Sequence, residues 1–476
     1  MLERKKLYSK NPATGDIIWE GYESNKVDIS NAITKAKTAQ IQWETYPLEK
    51  KKEIILCFSD LVKKKCNEIA TLISEENGKP FWESTAEVNS LVNKVQVVFD
   101  AYDERALQKV QTLKNNRVSI TRYKPHGVMG VLGPFNFPMS MPNSHIMPAL
   151  YAGNAIIFKP SERTPKSALL YQELWNEAGL PSDVLQIVNG DHTVGKMLVN
   201  SDDIDGILFI GSYAAGKEIE QILSRKNKIS VLEMGGNSPL VVWDYSDIRA
   251  AINISIQSAY ISSGQRCSAA RRLIVNKKIY DEFIPALSQA VKKIRVGFPL
   301  DKEFVPFMGP MIDNKAVKTF ISDYKELINS GAKVLVPACE LTNLGDNFVS
   351  PGLLDITDIP YLDKEIFGPL LQITVVKTID EAIEISNKTK YGLAAGIVTE
   401  DKSIYDLYLR NIKAGLINWN QPLTGSTTIA PFGGIKGSGN FRPAGYLSVD
   451  YCVYPCASIE SINAQPPSAL SPGLEF

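Results

Sequence analysis

The chain has 476 residues, of which 44% are hydrophobic and 22% charged, and these proportions are typical of a globular protein with two or three domains. Its 52 Lys and Arg residues balance 52 Asp and Glu residues, so the formal net charge is zero. This balance argues against a protein that binds nucleic acid or an anionic membrane through its overall charge, although a local basic patch is not excluded.

The amino terminus and the cysteines indicate the cytosol. The basic start, residues 1–6, is not followed by an apolar segment, so we expect no signal peptide. The longest apolar stretch, about 147–158, is interrupted by Gly153 and Asn154 and is too short to cross a bilayer. The six cysteines show no C-x-x-C spacing, and reduced thiols are expected in a long chain without a secretory signal.

Strand and helix patterns alternate along the first half of the chain. In chain order they predict a helix at 93–108, a hairpin arm at 114–124, strands at 127–132 and 154–158, a helix at 165–178, strands at 184–188 and 206–210, and a helix at 214–223. This βαβα order favours a parallel sheet with helices on both faces.

A second α/β unit is predicted from about residue 236 to 434. Its signals are strands at 273–275, 371–376 and 415–418 and a helix at 281–293. The tail alternates like a strand at 448–454, and residues 466–472 are predicted to be irregular.

Cys267 lies in the run Gly264-Gln265-Arg266-Cys267. An isolated cysteine is more often a buried structural residue than a nucleophile. Here, however, Gly264 permits close approach of the backbone, and Arg266 can favour the thiolate. A thiolate that attacks an aldehyde gives an oxyanion, for which the side-chain NH2 of Asn136 and the Cys267 backbone N–H are candidate donors. A turn-capping role is the alternative for Asn136.

Glu233 follows the mostly apolar run 229–232 and precedes Gly235-Gly236. A carboxylate at the end of a strand is usually solvated, and that is the alternative interpretation. In a partly dry pocket its pKa would rise, and it could then deprotonate the water that hydrolyses a thioester.

Two segments predict a nucleotide site. Lys159 and Glu162 follow a predicted strand, where a Lys can donate to ribose hydroxyls and a Glu can accept from them. Glu162 would repel a 2′-phosphate, which favours NAD over NADP, whereas the alternative is a surface ion pair. The second segment is a glycine turn into a helix whose N-terminus suits a pyrophosphate and which Ser212 can cap. The turn comprises Gly211, Ser212, Tyr213, Ala214, Ala215 and Gly216.

The remaining motifs give weaker evidence for a functional site. The same turn resembles a P-loop, but Glu218 stands where a Mg²⁺-binding hydroxyl is required, so nucleotide hydrolysis is disfavoured. Glu365 and Phe367 adjoin a glycine turn, where Glu365 could hold a second ribose or simply be an exposed loop residue. The glycine-rich loop 431–439 suits a lid or substrate loop. The three histidines have no paired ligand spacing, so no metal site is predicted.

Together, in this order and spacing, the motifs resemble those of the aldehyde dehydrogenase superfamily over essentially the whole chain. The matching segments are 133–138, 158–162, 209–212, 232–237, 264–267, 365–369 and 431–439. The resemblance implies that Cys267 is the nucleophile, Glu233 the general base and Asn136 the oxyanion donor. It also implies that NAD contacts Lys159, Glu162, the turn 211–216, Glu365 and Phe367.

The resemblance further implies an α/β fold in three parts. These are a Rossmann-type cofactor domain (1–106 and 126–235), an α/β catalytic domain (236–434) and a β oligomerisation arm (107–125 and 447–476). A homodimer or homotetramer is therefore expected.

Three segments narrow the expected substrate. Residues 136–143, 418–434 and 440–460 are most similar to those of superfamily members that oxidise N-succinyl-L-glutamate 5-semialdehyde in arginine breakdown. Arg266, Arg442 and Thr424 are candidates to bind the carboxylates of such a substrate.

Two positions depart from this resemblance. Gln421 stands where Lys is expected, and Ala269 stands where Cys is common; the change at Gln421 could alter substrate preference. The alternatives are an enzyme for another small semialdehyde, a CoA-acylating dehydrogenase, which Glu233 disfavours, and a non-catalytic protein of the same fold.

Overall fold

The computed structural model describes residues 4–114, 116–425, 427–464 and 469–475. Parts of the predicted irregular end and of the predicted arm, namely 465–468, 476 and residue 115, lie outside these ranges. The helices of the described residues are α1 (Lys26–Glu44), α2 (Leu48–Lys64), α3 (Cys66–Asn77), α4 (Phe81–Arg105), α5 (Ser140–Ala152), α6 (Pro165–Glu177), α7 (His192–Asn200), α8 (Tyr213–Arg225), α9 (Ile248–Tyr260), α10 (Tyr280–Lys292), α11 (Asn314–Asn329), α12 (Ile379–Asn387) and α13 (Lys402–Asn411).

The strands of the described residues fall into five sheets, of which three organise the fold. The strands are β1 (Lys6–Lys10), β2 (Ile17–Tyr22), β3 (Lys109–Thr112), β4 (Val118–Pro125), β5 (Val128–Leu132), β6 (Ala155–Lys159), β7 (Leu185–Ile187), β8 (Gly206–Gly211), β9 (Ile229–Met234), β10 (Ser238–Val242), β11 (Ala270–Asn276), β12 (Lys333–Val336), β13 (Gly352–Asp355), β14 (Leu370–Val376), β15 (Ala394–Val398), β16 (Leu416–Trp419), β17 (Pro431–Phe432), β18 (Ala444–Gly445) and β19 (Val453–Glu460).

The first large sheet is parallel and has five strands in the order β7-β6-β5-β8-β9. Its central strands β5 and β6 are buried at every position, as expected when helices cover both faces. The strands and helices predicted between residues 127 and 223 all form here, and they build the expected α/β unit.

The second large sheet has seven strands in the order β12-β13-β14-β11-β10-β15-β16. All neighbouring strands are parallel except the edge strand β12, which is antiparallel to β13. The predicted strands at 273–275, 371–376 and 415–418 lie in this sheet.

The third sheet is antiparallel and joins the tail to the hairpin in the order β19-β4-β3. The strand prediction for 448–454 was wrong in its first half, because Tyr446–Tyr451 form a 3-10 helix. Ser448 and Val449 are both buried there, so the burial does not alternate along the segment. Tyr451 packs in the core of the five-stranded sheet.

α4 is the helix that borders the site. It is longer than the predicted helix 93–108, because it begins at Phe81 directly after Pro80 and ends at Arg105. Its buried face includes Glu83, Glu87 and Lys94 among apolar residues. Among the described residues, no helix is long and apolar enough to cross a membrane.

Candidate active site

One cavity of about 860 Å³ collects most of the predicted site residues. Strands β5, β6, β8 and β9 all point their carboxyl ends at it, which is where parallel α/β sheets usually bind ligands. Of the predicted catalytic and cofactor residues, those that line it are Cys267, Glu233, Asn136, Lys159, Glu162, Gly211, Ser212, Ala215, Glu365 and Phe367.

Some predicted residues lie elsewhere. Tyr213, Ala214 and Gly216 belong to the first turn of α8 but are not among the described residues that line the cavity. Gly216 has a packing role, because a Cβ there would lie 2.4 Å from Met234 Sδ. Arg442 is also outside the lining; it is exposed and donates to the Ser230 carbonyl at 2.9 Å.

The loop that carries Cys267 is held from both large sheets. Asn136, which follows β5, donates its side-chain N–H to the Gln265 carbonyl at 2.8 Å. From β11, the Arg271 guanidinium donates to the Gly264 carbonyl and, at 2.8 Å, to the Arg266 carbonyl. Three successive carbonyl groups before the thiol are therefore fixed, and Asn136 keeps a second side-chain N–H that this hydrogen bond does not use.

Gly264 is required by this loop. Its φ is +70°, and a Cβ would lie 2.2 Å from the Gly368 carbonyl oxygen. The sequence analysis expected close backbone approach at Gly264, and the structure shows that the partner is the segment next to Phe367.

Arg266 lines the cavity, but its guanidinium is already bound to other protein groups. The guanidinium donates to Glu83 Oε1 and Ser262 Oγ, both at 2.8 Å, and lies over the Phe137 ring. Arg271, in contrast, is a fully buried cation beside the loop. Arg271 therefore supplies the nearby positive charge that was expected from Arg266. Sequence analysis missed Arg271, although a charged pair inside the apolar strand β11 was a signal for it.

The Cys267 thiol is half-buried at the cavity wall. Burial raises its pKa to about 12; the nearby carboxyl groups of Glu233 and Glu365 act in the same direction, and Arg271 opposes them. The thiol is therefore protonated in the resting protein, and a nucleophilic role would require it to lose that proton.

Glu233 lies near the end of β9, with 3% of its surface exposed. Neither carboxyl oxygen has a hydrogen-bond partner among the described residues. Burial raises its pKa to about 8, and the Lys94 ammonium partly opposes that rise. A carboxyl group that titrates near neutral pH has the basicity that a general base needs.

Lys94 is a second group that sequence analysis missed. It lies on the buried face of α4, lines the cavity and is 5% exposed. Burial lowers its pKa to about 8, and Glu233 opposes the shift. A lysine on an otherwise apolar helix face was the signal, but only the fold places it beside Glu233.

The candidate nucleotide groups occupy one end of the cavity. Lys159 Nζ lies 3.7 Å from Glu162 Oε2, and burial lowers the pKa of Lys159. Ser212 caps α8 by accepting from the Ala215 N–H at 3.3 Å. Glu365 accepts from the Gly236 N–H at 3.0 Å, and burial raises its pKa.

Comparison with known proteins places this site in a family. A model of the aldehyde dehydrogenase family matches residues 2–454. The chain therefore belongs to the aldehyde dehydrogenase family, and the family and α/β fold class predicted from the motifs are confirmed.

Particular relatives span nearly the full length. The chain is 42% identical over 479 residues to the N-succinylglutamate 5-semialdehyde dehydrogenase of Novosphingobium aromaticivorans, covering 99% of each protein. It is also 42% identical over 462 residues to N-succinylglutamate 5-semialdehyde dehydrogenase 1 of Caulobacter vibrioides, covering 97% of each. A solved mutant of the P. syringae indole-3-acetaldehyde dehydrogenase, in complex with NAD+ and IAA, has a TM-score of 0.91 and 29% identity, covering 96% of this chain and 94% of that one.

Replacement of Glu233 by Gln should stabilise the protein increasingly as pH rises. The folded-state pKa of Glu233 is raised from 4.5 to about 8, so its contribution to stability is present below pH ~4.5 and is lost as pH rises towards ~8. Gln does not ionise, and the difference in unfolding free energy between the variant and the wild type should grow by about 3 kcal/mol between pH 4.5 and pH 7.

Urea unfolding followed by tryptophan fluorescence across this pH range measures the difference. The matched control is Glu340→Gln, which removes an exposed carboxylate. A Glu233→Gln effect that does not vary with pH would show that the carboxyl group is not protonated by burial.

Proposed function

We propose that this enzyme oxidises N-succinyl-L-glutamate 5-semialdehyde to N-succinyl-L-glutamate with NAD, as a step of arginine catabolism. The observation that carries the chemistry is that Cys267, Asn136 and Glu233 line one cavity. The substrate rests on the two relatives named for it and on the three similar segments described above.

The residues at the nucleotide end of the cavity fit NAD. Lys159 and Glu162 offer a donor and an acceptor to ribose hydroxyls, and the capped start of α8 offers backbone N–H groups to a pyrophosphate. Glu162 would repel a 2′-phosphate, which favours NAD over NADP. Glu365 and Phe367 would meet the second ribose. When bound there, NAD supplies the acceptor for the hydride of the aldehyde.

Each of three protein groups has its own role in the proposed reaction. Cys267 sulfur bonds to the aldehyde carbon while its proton passes to solvent water, and the second N–H of Asn136 stabilises the oxyanion. Loss of the hydride leaves a thioester on Cys267. Glu233 then removes a proton from water, the resulting hydroxide displaces the sulfur, and the carboxylic acid is released.

The substrate carboxylates require cationic and hydroxyl partners. Lys94, Arg266 and Thr424 line the cavity and are the proposed partners. Of these, Arg266 is already paired with Glu83, and Thr424 donates to the Gln257 carbonyl at 3.0 Å. Arg442 has less support as a partner of the substrate carboxylates, because it is exposed and donates to the Ser230 carbonyl outside the cavity lining.

We also propose that the enzyme acts in the cytosol as a homodimer or homotetramer. All six cysteines lie in the described residues as free thiols, which suits a reducing compartment. The three-stranded sheet would form the contact between subunits, with the division into domains given above, because it leaves large apolar side chains exposed. These include Val110, Tyr454 and Ile459.

Two variants separate the steps of this mechanism. Glu233→Gln should release one equivalent of NADH per active site in a burst and then turn over at least 100-fold more slowly, since the thioester forms but water is not activated. Cys267→Ala should give no burst. Stopped-flow absorbance at 340 nm measures both, and unchanged steady turnover in Glu233→Gln would remove the general-base role.

A substrate panel tests the specificity. NADH production with N-succinyl-L-glutamate 5-semialdehyde should exceed that with succinate semialdehyde or an uncharged aldehyde of equal length by at least 10-fold in kcat/KM, because each additional carboxylate bound by a buried cation contributes more than 1 kcal/mol. A higher value for one of the other aldehydes would assign the enzyme to another semialdehyde. Turnover that requires CoA would instead identify an acylating dehydrogenase.

A further inference from the structure

Behind Glu233 lies a buried imidazole that the mechanism above does not use. His145, on α5, is fully buried, and its Nδ1 lies 2.7 Å from the Tyr451 hydroxyl. Its Nε2 lies 3.9 Å from Glu233 Oε1. Neither this nitrogen nor the Glu233 carboxyl oxygens have a hydrogen-bond partner among the described residues.

These unsatisfied atoms face one another, and buried polar groups are rarely left unpaired. The gap is about 1 Å longer than a hydrogen bond, so a small rotation of the Glu233 side chain would close it. The imidazole can donate there only if its proton is on Nε2. A Tyr451 hydroxyl that donates to Nδ1 selects this tautomer.

The surrounding charges keep the imidazole neutral. Burial lowers the pKa of His145 to about 3, and Lys94 on α4 acts in the same direction. Apart from Lys94, the buried titratable groups on the elements packed against α5 are Glu83, Glu87, Lys51, Lys159 and Tyr451, and the exposed Asp450 adjoins Tyr451. Of these carboxylates, Glu87 is bound to Lys79 and to the first N–H groups of α5, and Asp450 is bound to Arg105.

We propose that His145 is a positioning residue for thioester hydrolysis, in which its Nε2–H donates to the Glu233 carboxylate while Tyr451 fixes the tautomer. The inference rests on the proposed function, since it assigns Glu233 as the base. The imidazole keeps its proton throughout, and the proton removed from water goes to Glu233. The donor stabilises the ionised carboxyl group, so it makes the base available at lower pH.

The test uses an acyl-enzyme made without NAD. The activated ester 4-nitrophenyl acetate can acetylate Cys267 directly, and intact-protein mass spectrometry follows hydrolysis of the acetyl group from pH 6 to pH 10. The hydrolysis rate should rise with pH as Glu233 ionises, and this rise is the acid limb of the pH profile. In His145→Leu the midpoint of the acid limb should move upward by about one pH unit, because the carboxylate has lost its donor. His145→Gln should restore the limb, since its amide N–H reaches the position of Nε2.

The control is His192→Gln, because the His192 side chain is 76% exposed and lies at the start of α7. A His145→Leu limb at the wild-type pH, or a shift that His145→Gln fails to reverse, would overturn the inference. If His145→Leu does not fold, Tyr451→Phe decides, with an upward shift expected and an unchanged limb contradicting it.

The two hypotheses fail in different ways. A wild-type enzyme that hydrolyses its acetyl thioester normally but makes no NADH from any aldehyde would refute the proposed function alone. A wild-type enzyme that makes NADH, together with a His145→Leu variant of unaltered acid limb, would refute this inference alone.

Discussion

The site depends on the burial of one carboxyl group. Glu233 lies inside the protein near a sheet edge with neither oxygen hydrogen-bonded among the described residues, and burial raises its pKa to about 8. Near neutral pH it is therefore mostly uncharged, and it does not oppose formation of a thiolate at Cys267 as strongly as an ionised carboxylate would. The same group can ionise at slightly higher pH, which is the property that hydrolysis of a thioester requires.

A second constraint places the sulfur. The loop before Cys267 is bound by Asn136 from the five-stranded sheet and by Arg271 from the seven-stranded sheet. The thiol position therefore depends on how the two sheets pack, and Gly264 permits the loop to approach the Gly368 carbonyl. Such rigid support is what an active site needs to hold reacting groups in a productive geometry.

Sequence reasoning predicted both the elements and a set of reacting groups because both leave local signals. Apolar runs bounded by glycine and proline identified the central strands, and short motifs predicted that Cys267, Glu233 and Asn136 react. Sequence reasoning failed where contacts between residues distant in the chain determine the local structure. Arg266 looked available for the thiol, but it pairs with Glu83, which is 183 positions away. The tail at Tyr446–Tyr451 looked like a strand, yet it forms a 3-10 helix in which Ser448, Val449 and Tyr451 are buried.

The groups that tune the base were invisible for the same reason. Lys94 and His145 lie on two helices, and no spacing in the chain indicates that both approach Glu233. Their effect arises from low exposure and mutual distance, which are properties of the packed interior. Local patterns therefore predict which groups react, whereas the pH at which those groups would react depends on tertiary structure.

The proposed mechanism requires that a thioester forms on Cys267 before Glu233 activates the water that hydrolyses it. Acid quenching of Glu233→Gln during reaction with NAD and the succinylated semialdehyde, followed by proteolysis and mass spectrometry, tests it most directly. An N-succinylglutamyl group is expected on the peptide that contains Cys267, in an amount equal to the NADH formed. NADH formation with that peptide unmodified would contradict it.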